Sequence, residues 1–222
     1  MSEPNPRTAG LACLVEALVT VVGGIATQVA RGSTAVWEGE WSYPWLPGTF
    51  IALSLLWALT HALIFIGLLG VRRSGAAGPT RAARVGLALV LVATAILFVA
   101  ELAGIPFSEQ YVDDSGPSVV GGLFGLGTLL TAVGLILAVY ATIKTGRGSG
   151  WRRVTPLVPG VWSLVLIGLV VTDVGSAAIG VYGLCFLALG SALYTQPSPV
   201  DPDPGRAKQG PGGTPRDPAT SV

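Results

Sequence analysis

The 222-residue chain is 51% hydrophobic and only 11% charged, with a mean hydropathy of +0.66. A water-soluble domain keeps about a quarter of its residues charged, so this composition excludes an ordinary soluble fold. The net charge of +1 conceals a strong asymmetry along the chain.

Residues 1–8 are polar, with Pro4 and Pro6, and read as a short disordered tail. The first apolar run, 9–30, exceeds the usual length of a signal-peptide core, has only Arg7 before it and lacks an A-x-A site after it, so it reads as a mature transmembrane helix. The loop that follows holds Trp37, Trp41, Tyr43 and Trp45 with Glu38 and Glu40; Pro44 and Pro47 bar a long helix there. The second run, 49–70, is about the length needed to cross a bilayer core of roughly 30 Å. It carries the sole histidine, His61, and runs into a basic loop with Arg72, Arg73, Arg81 and Arg84.

The third run covers 85–104. An acidic loop with Glu109, Asp113 and Asp114 leads to the fourth, 118–143. A second basic loop with Lys144, Arg147, Arg152 and Arg153 precedes the fifth, 155–173, whose first turns tolerate Pro156 and Pro159. A tight turn opens the sixth, 175–194. Residues 196–222 are rich in Pro and Gly and read as a disordered tail.

A backbone in lipid must satisfy its own hydrogen bonds, so only helices or closed barrels span. Barrel strands need about ten alternating residues, whereas these runs are roughly twice that and apolar on all faces. The expectation is therefore an all-α, polytopic bundle of six transmembrane helices over 9–195. Loops rich in Lys and Arg stay cytoplasmic. Of the thirteen basic residues, only Arg31 falls with the acidic loops, which places both termini inside.

An ionisable group within a span needs a partner or a cavity. Glu16 and His61 are each eight or nine residues from the cytoplasmic end of antiparallel spans, so they are expected at similar depth as a buried hydrogen-bonded pair. The pair reads first as glue between helices, and second as a proton-accepting or ligand-binding site. Gln28, Glu101 and Asp173 lie near the opposite end and form a candidate outer vestibule. Trp37, Trp41 and Trp45 read as an interfacial aromatic belt. Gly121 and Gly125 make a GxxxG step, a helix-packing face serving the monomer or a homodimer. Asp113-Asp114 lacks calcium-loop spacing and reads as a solvated turn.

No metalloprotease, nucleophile-elbow, phosphate-loop or dinucleotide motif occurs. One histidine and two separated cysteines do not build an ordinary zinc site. No enzyme, cofactor or metal is expected. The short basic loops suit anionic lipid headgroups and need no nucleic acid.

The run Thr60-His61-Ala62-Leu63, through Gly67-Leu68-Leu69-Gly70-Val71-Arg72-Arg73 and on to Arg81-Ala82-Ala83-Arg84-Val85-Gly86-Leu87, resembles the uncharacterised small multi-pass membrane proteins common in actinobacteria. The glycine-rich fourth span and the Arg152-Arg153 lead-in are similar too. The resemblance implies a bacterial plasma-membrane location and adds no activity. Three functional classes follow: a structural or accessory subunit with a membrane-protein partner, a small proton-coupled transporter using Glu16 and His61, and a lipid-binding protein.

Overall fold

The computed structural model describes residues 6–74, 78–146 and 154–195. These form six α-helices: α1 (Pro6–Arg31), α2 (Pro47–Ser74), α3 (Arg81–Gly104), α4 (Ser115–Lys144), α5 (Leu157–Leu169) and α6 (Gly175–Tyr194). A 3-10 turn, Ile105–Phe107, follows α3. Among the described residues there is no strand, only a lone bridge between Glu40 and Tyr111. The fold is all-α, as composition and run length require. Residues 1–5, 75–77, 147–153 and 196–222 lie outside the described residues, and with them the expected C-terminal tail and most of the N-terminal one; residues 6–8, expected in that tail, open α1 instead.

All helices except α5 are long and apolar enough to cross a membrane. Their outer faces show why water is the wrong solvent: Leu18 and Val22 of α1, Leu55 and Leu59 of α2, Val99 of α3 and Val119 of α4 are all exposed. Contiguous apolar surface on this scale marks contact with lipid or protein. The few hydroxyls within the spans turn back on their own helix. Thr94 Oγ1 donates to the Val90 carbonyl at 2.8 Å, Thr131 Oγ1 to Gly127 at 2.9 Å and Ser163 Oγ to Pro159 at 2.7 Å. Each donor is satisfied without a partner helix.

The expected fifth span, 155–173, is longer than the helix found. α5 has 13 residues, about 20 Å at 1.5 Å per residue. Pro156 caps its start. Its far end falls at Val170, Val171 and Thr172, three β-branched residues whose restricted side chains favour helix weakly. Turns at 154–156 and 170–174 complete the path between α4 and α6.

The helices run alternately up and down in a ring, each packed on its chain neighbours, with α6 closing against α1. The closest pairs are α1 with α6 and α3 with α4. Glycine makes both possible. A Cβ on Gly24 would stand 2.5 Å from the Gly180 nitrogen, one on Gly183 2.8 Å from the Ala17 carbonyl oxygen, and one on Gly86 2.6 Å from the Gly134 carbonyl oxygen. Backbones at this separation gain van der Waals contact that lipid cannot compete with. Phe186, fully buried, sits in an apolar core with Cys13, Ala17, Ile64, Leu68, Val90 and Leu135.

One end of the ring carries α1's N-terminus, the α2–α3 connection and Lys144; it is the basic end. The other carries the tryptophan loop, residues 32–46, and the acidic loop, 105–114; it is the aromatic end.

Candidate functional site

Glu16 and His61 both turn into the ring, but no hydrogen bond or ion pair joins them. The Glu16 carboxylate, 1% exposed, accepts from Thr20 Oγ1 at 2.9 Å, one turn along its own helix. His61 Nδ1 lies 2.8 Å from the Trp57 carbonyl oxygen, also one turn back. The expected pair is corrected by the register between α1 and α2. Gly67 packs on Cys13 and Gly23 on the Trp57 ring, a register that puts Ile64 level with Glu16 and Val19 level with His61. Counting residues from loop ends missed this offset of nearly one turn, about 5 Å. The second carboxylate oxygen, Oε2, is buried without a partner.

The expected vestibule of Gln28, Glu101 and Asp173 is built in part. Gln28 Nε2 donates to the Asp173 carbonyl at 2.9 Å, and Gln28 Oε1 accepts the Ala177 N–H at 3.1 Å. One amide thus joins the end of α1 to the first turn of α6, satisfying an N–H that the helix itself leaves open. Arg31, the exception to the charge rule, sits beside it. Its guanidinium is 3.4 Å from Glu38 and 3.5 Å from Asp173, and lies 5.1 Å from the Tyr43 ring centroid. The one cation of the aromatic end among the described residues is therefore tied to two acids of two different loops. Its position in sequence, directly after α1 and before Glu38, was the available signal.

Glu101 is elsewhere. It belongs to the buried face of α3, between Leu97 and Gly104, partly buried itself and with no hydrogen-bond or ion-pair partner.

The two loops of the aromatic end are joined edge to edge. Trp41 N–H donates to the Gln110 carbonyl at 2.8 Å and Val112 N–H to Gly39 at 2.9 Å. The tryptophans do not act alike. Trp37 is 61% exposed and meets Tyr111 edge-on, ring centroids 5.3 Å apart. These two rings, with Asp113 and Asp114, line an open depression of about 370 Å³. Trp45 is half-buried. Trp41 folds inward instead, its indole nitrogen buried, unpartnered and 3.0 Å from where a Cβ on Gly104 would lie. Its neighbour Ser42 is fully buried, and its hydroxyl has no partner either. The Asp113-Asp114 segment is a turn, with Asp114 Oδ2 accepting the Tyr111 N–H at 3.0 Å.

Of the two uses expected for the GxxxG face, packing within the monomer is not the one found. Gly121, Gly122 and Gly125 meet nothing within 4 Å and are exposed. α4 packs on α3 through Gly127 and Gly134 instead. Abundant glycine hides which faces are used; only the register between helices separates them.

No cluster of three or more His, Cys, Asp or Glu side chains suited to a metal occurs among the described residues. No family model, curated protein or solved structure matches the chain.

Proposed function

We propose that this chain is a bacterial plasma-membrane protein, with both termini in the cytoplasm, that serves as a structural or accessory subunit. The observation that carries the reading is the way its interior is held. Glycine-to-backbone contacts lock α1 to α6 and α3 to α4, and the interior acid and imidazole are each tied within their own helix. Such a ring is a rigid frame. Its unfilled glycine face at Gly121 and Gly125 offers close approach to a partner helix. The test places a photo-crosslinking side chain at Gly125 in native membranes. A discrete adduct with another polypeptide supports the reading; adducts with lipid only remove it.

A second reading, a small proton-coupled transporter, has one observation in its favour. Glu16 Oε2 is buried without a partner, and an intramembrane carboxyl is a functional site by default. Purified protein in vesicles with a trapped pH dye tests it. Proton flux present in the native chain and abolished in Glu16→Gln would replace the accessory reading.

A further inference from the structure

At the aromatic end, two loops far apart in sequence bring two aromatic rings and two carboxylates to one depression. The pairing of Trp41 N–H with the Gln110 carbonyl and of Val112 N–H with that of Gly39 sets Trp37 against Tyr111. Gly39 matters to this placement, because a Cβ there would run into the Trp37 ring. The two rings meet edge-on at 85°, centroids 5.3 Å apart. With Asp113 and Asp114 they line the open depression of about 370 Å³. Asp114 opens α4 but makes no side-chain cap bond to it. Its Oδ2 accepts the Tyr111 N–H at 3.0 Å instead, which fastens this acid to the residue that carries the ring.

The lining favours positive charge. The face of an aromatic ring is the negative part of its quadrupole and attracts cations, and two exposed carboxylates stand beside the rings. Among the described residues the aromatic end holds one cation, Arg31, and that is engaged by Glu38, Asp173 and Tyr43. The rings also narrow the choice of ion. A calcium or magnesium ion takes a shell of oxygen ligands, which ring faces do not supply. A small, strongly hydrated ion keeps its water and gains little from an apolar wall. A quaternary ammonium has no N–H to satisfy, spreads its charge over its methyl groups and can lie against two rings at once. Trp37 and Tyr111 are both more than half exposed, so their surface is open to such an ion.

We propose that this depression binds a quaternary ammonium group, its methyl groups against the Trp37 and Tyr111 rings and its charge balanced by Asp113 and Asp114. The acidic turn alone would only attract cations in general; the two rings set at a right angle give it a preference for a methylated one. The site is independent of the accessory reading above, since Gly125 lies about 15 Å further along α4. Two sources carry the same chemistry, dissolved choline and the choline headgroup of a phospholipid. The depression lies at one end of the spanning helices, within reach of both.

The experiment titrates choline against the full chain in maltoside micelles, which carry no ammonium group, and reads the choline N-methyl signal by saturation-transfer NMR. Saturable binding is expected. A cation–π contact at an exposed site is worth about two- to fivefold in affinity, and Trp37→Leu should weaken binding by that factor. Asp113→Asn, which leaves the Asp114–Tyr111 bond alone, should weaken it about threefold. The Asp113 side chain is exposed, so this variant answers the question where Trp37→Leu disturbs the loops. Tetramethylammonium should displace choline, and sodium at the same concentration should not. Repeating the titration in phosphatidylcholine nanodiscs separates the sources. Choline binding lost there assigns the lipid headgroup, and binding kept there assigns the dissolved ion. No saturable binding in micelles overturns the proposal, as does binding of equal strength in the native chain and both variants. Displacement by sodium as effective as by tetramethylammonium also overturns it, leaving only a solvated acidic turn.

Discussion

The Gln28 side-chain oxygen accepts the Ala177 backbone N–H at 3.1 Å, across 149 residues of sequence. The first and last helices of the ring are therefore joined by a cap that neither could make alone. The amide's other end donates to the Asp173 carbonyl, which fixes the α5–α6 turn against α1. In Gln28→Ala both bonds go, and an N–H at the start of α6 loses its acceptor. Loss of a capping side chain costs about 0.5–2 kcal/mol. Thermal unfolding in detergent should show Gln28→Ala destabilised by about that amount, with Gln28→Glu, which keeps the acceptor, closer to the native chain. An unchanged midpoint in Gln28→Ala would show that the cap contributes nothing.

Two glycine substitutions separate the faces in use from the one left open. Gly24→Ala puts a methyl group 2.5 Å from the Gly180 nitrogen, where backbone on backbone leaves no flexible atom to yield. Overpacking of this kind costs about 1–3 kcal/mol. Gly125→Ala puts the same methyl in open space, and removal of a helical glycine stabilises by about 0.5–1 kcal/mol. The unfolding midpoints should move in opposite directions. A fall in both would mean that Gly125 is already covered in the purified protein.

What could be read from sequence divides along a physical line. Each span is specified locally, by a run of apolar side chains of membrane length, and α1, α2, α3, α4 and α6 contain the expected segments. α5 was overestimated because hydropathy does not register that Val170, Val171 and Thr172 are poor helix formers. Contacts between spans are not local. That Gln28 and Asp173 lie at one end followed from topology; that Glu101 lies apart from them depends on which way each helix is rotated. Rotation is poorly marked when helices are apolar all round, as α4 is. The Glu16–His61 register likewise rests on Gly67 and Gly23, whose roles appear only once their neighbours are known.

Arg31 contacts two acids, yet its removal should be mild. The Asp173 side chain is 97% exposed and Glu38 67%. Exposed ion pairs contribute about 0–1 kcal/mol and are screened by salt. Arg31→Gln should lower stability by less than about 1 kcal/mol in dilute buffer, and the difference should vanish at high salt. A larger loss that persists in salt would point instead to the Arg31 stack on Tyr43.

The orientation rests on cations gathering at one end of the ring, and thiol labelling tests it directly. Cys13 and Cys185 are both buried, so the native chain should give little background. Asp113→Cys places an exposed thiol in the loop of the aromatic end, and Pro79→Cys one just before α3 at the basic end. Neither change touches an arginine or lysine, so the charge bias that directs insertion is kept. On intact cells stripped of their outer envelope, a membrane-impermeant maleimide should label the first variant and spare the second. After permeabilisation both should react. The reverse pattern would place the tryptophan loop in the cytoplasm. Arg72, Arg73, Arg81 and Arg84 would then sit on the outer surface, against the retention that positive charge normally imposes.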